Sequence, residues 1–542
     1  MSKSVNVDFV TRQIEVDTDG KEHFISAAMA AKDAEQSMLN AQNAATSVKK
    51  YKALWFDSVA AMKAEPSLTA GAYVCTAGYY TPNDDGSASY LIRAKADADV
   101  DDGGSIHELA NGLVAELIVE SGTVCPEQFG AKGDGVSDDT EAVKLAINSG
   151  SLVDLGGNEY SVKSLGKTNK LLIKNGTLNG LEEGFVIELD SGKCDVDITL
   201  NSDISSGILI NNSYGNIKLI TKKINGNLLV TEYCNNLHVV IAGENISSCA
   251  YLMNGGNRNV DIMAHVYNCG DATNPTIYIN SSPSEEGRNS CITIHDCVIK
   301  NSGQTGILCS GEHITIQNVI VDTAGLMANS SAIWVHDSGF VTIKNAKVSN
   351  TPRYGVFVNK SINVYLENID ATNNNYCGLL LGYDNNTTPW HDGTVSNKNA
   401  VIVNSCFYDN NNAGPYSDIR IDGWKNVTFL NCVIGEKTAF NLSNAEVTEN
   451  ISFINCVSAS TNFFGGISPM DTKSFLGIVD ITDLSGHKIS FEGRAPNLVK
   501  NYYVGDYTAN RSVAYASTST MQDVFNVLAT LVLDLKEKGI LK

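Results

Sequence analysis

The chain has 542 residues, with 39 Lys and Arg against 60 Asp and Glu, a formal net charge of −21, and 43% hydrophobic residues. That much apolar content can build a sizeable core and excludes a disordered acidic tail. The acidic balance argues against nucleic acid, whose affinity rests on Lys and Arg, and against anionic membrane surfaces.

No run of 18 apolar residues is present, so no membrane insertion is expected. The first residues, Met1-Ser-Lys-Ser-Val-Asn-Val-Asp, lack the apolar core of a secretory signal. Thirteen Cys are scattered without a CxxC pair or a zinc spacing. Reduced, buried thiols in a chain made in a cytosol are expected, with no metal and no cofactor.

Residues 1–50 begin with a hairpin. Val5, Val7 and Phe9 alternate, then Ile14 and Val16, and Asp19-Gly20 is its expected turn. From 24 to 50 an Ala-rich helix carries Ala27, Ala31, Ala34, Met38, Ala41, Ala45 and Val48 at alternating steps of four and three. The heptad predicts an oligomeric coil rather than a helix packed on its own chain. Residues 51–125 predict a small β-rich domain with no evident chemistry.

Residues 126–465 form the next region. Its Gly-rich loop, Phe129-Gly-Ala-Lys-Gly-Asp-Gly135, precedes a helix with a capping box expected at Asp138 and Glu141. Asp134, Asp138 and Asp139 could hold a cation, but a cap is the favoured role. The phosphate loop would need a Lys-Ser/Thr pair that is absent.

From about 170 to 465 a unit of roughly 20 to 30 residues repeats, a solenoid period. First strands include Gly207-Ile-Leu-Ile, Gly306-Ile-Leu-Cys, Ala332-Ile-Trp-Val and Gly355-Val-Phe-Val. Second strands include Ile314-Thr-Ile-Gln-Asn-Val and Val341-Thr-Ile-Lys-Asn-Ala. Alternation turns the β-branched residues inward. Asn or Asp recurs at the bend, at Asp296, Asn318, Asn345, Asn368, Asn431 and Asn455. These residues tolerate left-handed backbone and can stack as a ladder. Cys297, Cys406, Cys432 and Cys456 are read as core fillers behind it. The fold class is all-β, a right-handed parallel β-helix.

Residues 466–542 continue with strands to about 507. A helix from Thr518 follows, with Met521, Val524, Leu528, Leu531 and Leu535 in a heptad. This predicts a C-terminal trimerisation coil.

Val124-Cys-Pro-Glu-Gln-Phe-Gly-Ala-Lys-Gly-Asp-Gly-Val-Ser-Asp-Asp-Thr-Glu-Ala-Val resembles the entry segment of pectate-lyase-like β-helix proteins. With the Ala-rich coil, the chain resembles a bacteriophage tailspike or receptor-binding depolymerase, over about 124–465. The resemblance implies a homotrimer on a virion tail, synthesised in the host cytoplasm. It would attach through its N-terminus to a tail or adaptor protein and act on a bacterial surface polysaccharide.

If the third position of each first strand points outward, the row reads Leu209, Leu229, Tyr251, Tyr278, Leu308, Trp334, Phe357, Leu380, Arg420 and Asn441. Four aromatics there suggest a glycan groove, because exposed aromatic patches mark binding surfaces. His336, Asp337, Glu312, Tyr383, Asp384, Arg353, Arg420 and Asp422 border it, and the 383–399 insertion adds Trp390, His391 and Asp392.

Glycoside hydrolysis needs two carboxyls. Asp337 is expected as one, with Glu312 one coil away or Asp384 two coils away as its partner. Tyr278, Trp334, His336, Phe357, Arg353, Tyr383, Arg420 and Asp422 would bind substrate. A lyase would instead use a base such as His336, Arg353 or Arg420, with a cation to acidify the proton next to a uronate carboxylate. A non-enzymatic adhesin is the third reading.

Overall fold

The computed structural model describes residues 53–382 apart from Pro283 and Glu285, most of 397–459, and parts of 476–492. Before residue 53 it describes Lys3–Val5, Ile14–Val16 and residues 37–38. The rest of the Ala-rich segment, the C-terminal heptad, and the insertion residues Tyr383, Asp384, Trp390, His391 and Asp392 lie outside the described residues.

Lys3–Val5 pairs antiparallel with Ile14–Val16, and Val5 lies opposite Ile14. The chain therefore reverses between them. Asp19-Gly20 follows the second strand and is not the turn, which corrects the sequence reading.

The chain divides into two compact units, Met1–Glu120 with Glu127–Gly130, and Ser121–Pro126 with Ala131–Lys542. The first carries a five-stranded sheet in the spatial order Leu54–Phe56, Tyr73–Thr76, Ala88–Ala94, Leu113–Leu117, Ile106–Glu108. Ala88–Ala94 alternates, and its Tyr90 and Ile92 are fully buried. Beside the sheet, the helix Val59–Ala64 starts at Ser58, whose hydroxyl accepts from Ala61 N.

In the second unit the helix Thr140–Asn148 starts one residue later than the capping box requires. Its N-cap is Asp139, and that side chain makes no cap hydrogen bond. The buried Asp139 carboxylate instead accepts from Lys132 N and Gly133 N, closing the Gly-rich loop. Asp138 accepts from Thr140 N and pairs with Lys163. Asp134 accepts from Val136 N and Ser137 N, which hold its carboxyl down at about 2.

The rest of this unit is a parallel solenoid. Its described strands pair in parallel from coil to coil. The exception is Lys488–Glu492, which runs antiparallel to Leu476–Asp483. The core consists of stacked inward rows. Ile294, Ile316, Ile343, Leu366, Ile402, Phe429 and Phe453 follow one another in register, and all are fully buried. Phe429 and Phe453 stack face to face at 4.9 Å. Alternate residues stay at the surface because side chains on a strand switch faces at every step.

The Asn bends form ladders. Asn318 Nδ2 donates to Asp296 Oδ1 at 3.0 Å, Asn345 to Asn318 at 2.9 Å, and Asn368 to Asn345 at 2.9 Å. Each of the four has φ near +50°, a conformation in which Asn is enriched. The ladder resumes as Asn404, Asn431 and Asn455. Cys297, Cys432 and Cys456 fill the core behind it. Cys406 does not, because Asn404 takes the ladder position and Ser405 the buried one. Cys406 stands in register with Asp370 and is half-buried.

Candidate functional site

The outward row of the first strands is fixed by their register. Leu209 pairs with Val230, Val230 with Leu252, Leu252 with Tyr278, then Leu308, Trp334, Phe357, Leu380, Arg420 and Asn441 follow. Leu229 and Tyr251 are therefore not in it. Both are fully buried, and the Tyr251 hydroxyl lies 2.9 Å from the Thr231 hydroxyl. Leu229 aligns with the inward Ile208, so these two coils are offset by one residue from the expected frame. In a period-two strand that offset moves a side chain to the opposite face. The row keeps three aromatics: Tyr278, Trp334 and Phe357.

Trp334 and Phe357 stack at 5.1 Å with rings 22° apart. Trp334 Nε1 donates to Asn359 Oδ1 at 2.9 Å, which fixes the indole orientation. Tyr354 and Leu380 pack beside Phe357, and Tyr376 packs against them. The Arg353 guanidinium sits 5.0 Å above the Tyr354 ring. Arg420 lies in the same row two coils beyond Phe357, and its Nη2 is 3.5 Å from Asp422 Oδ2.

Beyond Trp334 the strand turns a corner at Asp337, where φ is +46°. Ser338 follows, buried, and its hydroxyl donates to His336 O. The same corner recurs one coil on, where Lys360 has φ +47° and the Ser361 hydroxyl donates to Asn359 O. The turn throws the Asp337 carboxylate outward, with 58% of the side chain exposed. His336 Nδ1–H points to Asp337 Oδ2 at 3.2 Å. This contact holds the Asp337 carboxyl below the ordinary carboxylate range, and the positive charges of Lys360 and Arg288 act in the same direction.

Glu312 reaches this neighbourhood from the preceding coil. Pairing slips between Cys309 and Gly311, so Glu312 stands opposite Gly339, two residues along from Asp337. Glu312 Oε1 lies 3.8 Å from Arg288 Nη1, and the Arg288 side chain is only 11% exposed. Arg288 thus acts on both carboxylates. Reading the sequence alone passed it over, because it enters from the loop after Tyr278 and no local pattern marks it. Lys360 and Asn359 were missed for the same reason.

A second polar cluster lies on the outer face of the following strands. His238 Nδ1 is 2.8 Å from Asp261 Oδ2, His295 Nε2 is 3.0 Å from Asp261 Oδ1, and His295 Nδ1 is 2.8 Å from Asp296 Oδ2. Among the described residues, no group of three or more His, Cys, Asp or Glu is arranged to hold a metal ion.

Residues 275–464 match the family model described as the right handed beta helix region. No protein of curated function matches the sequence. Among solved structures, a tailspike of an Acinetobacter phage is 14% identical over 84% of this chain and 78% of its own, with a TM-score of 0.46. The full-length tailspike protein 2 of an Escherichia coli bacteriophage is 13% identical, with a TM-score of 0.43 over 74% of this chain. This chain spans about half of that protein, 51%. A Streptomyces thermodiastaticus alpha-1,3-glucanase catalytic unit is 15% identical over 67% of this chain and 74% of its own, with a TM-score of 0.39. At such distances a shared architecture carries neither substrate nor mechanism. The family match and the coil register agree on the fold, and the chain carries a right-handed parallel β-helix.

Proposed function

We propose that this chain is a bacteriophage tailspike that binds and endo-cleaves a bacterial capsular or other surface polysaccharide by glycoside hydrolysis. One observation carries the reading: the partly buried aromatics Tyr278, Trp334 and Phe357 share one row across four coils, with the buried Leu308 between the first two, and Asp337 adjoins that row. Flat aromatic faces suit the apolar faces of sugar rings. Four coils span about 14 Å, room for several rings.

In this mechanism Asp337 stays ionised beside His336 and serves as base. It takes a proton from the water that attacks the anomeric carbon. The partner carboxyl, Glu312 or Asp384, would give its proton to the leaving glycosidic oxygen, and Arg288 would hold Glu312 in place. His336, Arg353, Arg420 and Asp422 would bind sugar hydroxyls or acidic groups. The Ala-rich coil and the C-terminal heptad would form a homotrimer, and the N-terminus would join the tail.

The test is incubation with a panel of purified bacterial surface polysaccharides, following new reducing ends and near-ultraviolet absorbance together. Reducing ends without absorbance is the expected result. A joint rise would replace hydrolysis with β-elimination. A glycan that binds without being shortened would leave an adhesin.

A further inference from the structure

A second column of left-handed residues runs up the solenoid just past the corner at Asp337. In register it reads Asn236, Asn259, Cys291, His313, Phe340, Asn363, Asn399, Asn426 and Asn450, and every member has φ between +53° and +62°. Six of the nine are Asn, which suits this conformation, and their amides bond along the axis. Asn399 donates to Asn363 at 3.0 Å, Asn426 to Asn399 at 3.1 Å, and Asn450 to Asn426 at 3.0 Å. Cys291, His313 and Phe340 break this ladder on three successive coils. All three are exposed, with Phe340 at 52%. A bulky side chain at positive φ is strained, and such strain persists where function holds it.

The break falls on the coils that carry Tyr278, Leu308 and Trp334. The His313 and Phe340 rings stack face to face at 4.7 Å, only 8° from parallel, so each covers one face of the other and the pair offers its ring edges and outer faces for contact. Along its strand the order is Trp334, His336, Asp337, Phe340. Along the chain Asp337 therefore stands between two stacked aromatic pairs, Trp334 with Phe357 before its corner and Phe340 with His313 after it. Six residues of chain bridge at most about 20 Å, a span of several sugar rings.

We infer that His313 and Phe340 form a sugar-stacking subsite on the far side of the cleaved bond from Trp334, so that the polysaccharide is held on both flanks of Asp337. This rests on the glycan reading above.

The test uses the full-length protein and an immobilised capsular polysaccharide that it binds. In His313→Asn and Phe340→Asn the residue takes the identity that the column favours. Both should melt no lower than the parent and keep its oligomer size, yet bind about fivefold more weakly each. Phe340→Tyr should bind as the parent. A polysaccharide lost by Trp334→Ala but bound unchanged by the Asn variants would overturn the subsite. A fall in melting temperature or loss of the oligomer, with affinity unchanged, would make the stack a structural contact or a surface covered by a second copy. If Trp334→Ala also binds like the parent, or no polysaccharide binds the parent, the groove reading fails first and the subsite with it.

Discussion

One column of the solenoid contains two regions that meet the same backbone demand differently. From Asn363 to Asn450 each left-handed position is Asn, and each amide bonds the next coil. From Cys291 to Phe340 the positive φ persists while the amides are gone, and two exposed rings stack instead. The regular stretch lowers the cost of the bend. The irregular stretch carries that cost on the coils of Trp334, His336 and Asp337. Departures from a local rule that the rest of the chain obeys are expected at functional sites, and here both cases occur within one fold.

The largest expected effect lies at the irregular end. Asp337→Asn is nearly isosteric and accepts the φ of +46° at that corner. It should fold and melt like the parent while reducing-end release falls by about 100-fold or more. Full activity would remove Asp337 from the chemistry.

The reverse graft sharpens the contrast. Asn426→Phe places a ring where the ladder is intact, adding strain and removing bonds to Asn399 and Asn450. The loss should be about 2–3 kcal/mol, read from the denaturant midpoint. A neutral result would mean that the bend tolerates any side chain and that the aromatic break needs no explanation. Asn426→Gly removes the bonds without a penalty at positive φ, so it separates the two contributions and should cost about 1 kcal/mol.

The smallest effect concerns Asp296, which begins the other ladder with a carboxylate. It accepts from Asn318 and from His295. His295 is raised above its usual value, chiefly by Asp296 and then by Asp261, and Asp296 is lowered chiefly by His295. The His295 contribution is complete below its unfolded value near 6.5 and fades as pH rises through the folded value. The Asp296 contribution is present above about 3.8 and fades as pH falls through its lowered value. The pair should therefore stabilise most between about pH 4 and 6.5. Asp296→Asn would extend the ladder and lower the His295 midpoint in an NMR titration. An unchanged midpoint would assign the shift to Asp261 alone.

Much of the solenoid was legible in the sequence because its signals are local. Alternation marks inward residues such as Ile316 and Ile343, and Asn before a small or apolar residue marks the bend at Asn318 and Asn345. The same rule misplaced Cys406, since Asn404 supplies the amide on that coil. The site was legible only in part. Trp334, Phe357 and Asp337 stand at one corner, as their positions in adjacent repeats suggested. Arg288 and Lys360 carried no local mark, and the aromatic pair His313 and Phe340 stands out only once the column is aligned.

The sequence by itself determined the coil: its inward rows and its bends. These follow from period-two alternation and from Asn accepting a left-handed backbone, both properties of a few neighbouring residues. Only the tertiary structure decided which residues face one another from coil to coil. Spacing between equivalent residues varies, being 22 between Asp296 and Asn318 and 40 between Leu380 and Arg420, so register cannot be counted along the chain. Backbone pairing between coils sets it. A slip of one residue buries Tyr251, and the slip after Cys309 puts Glu312 opposite Gly339 instead of Ser338.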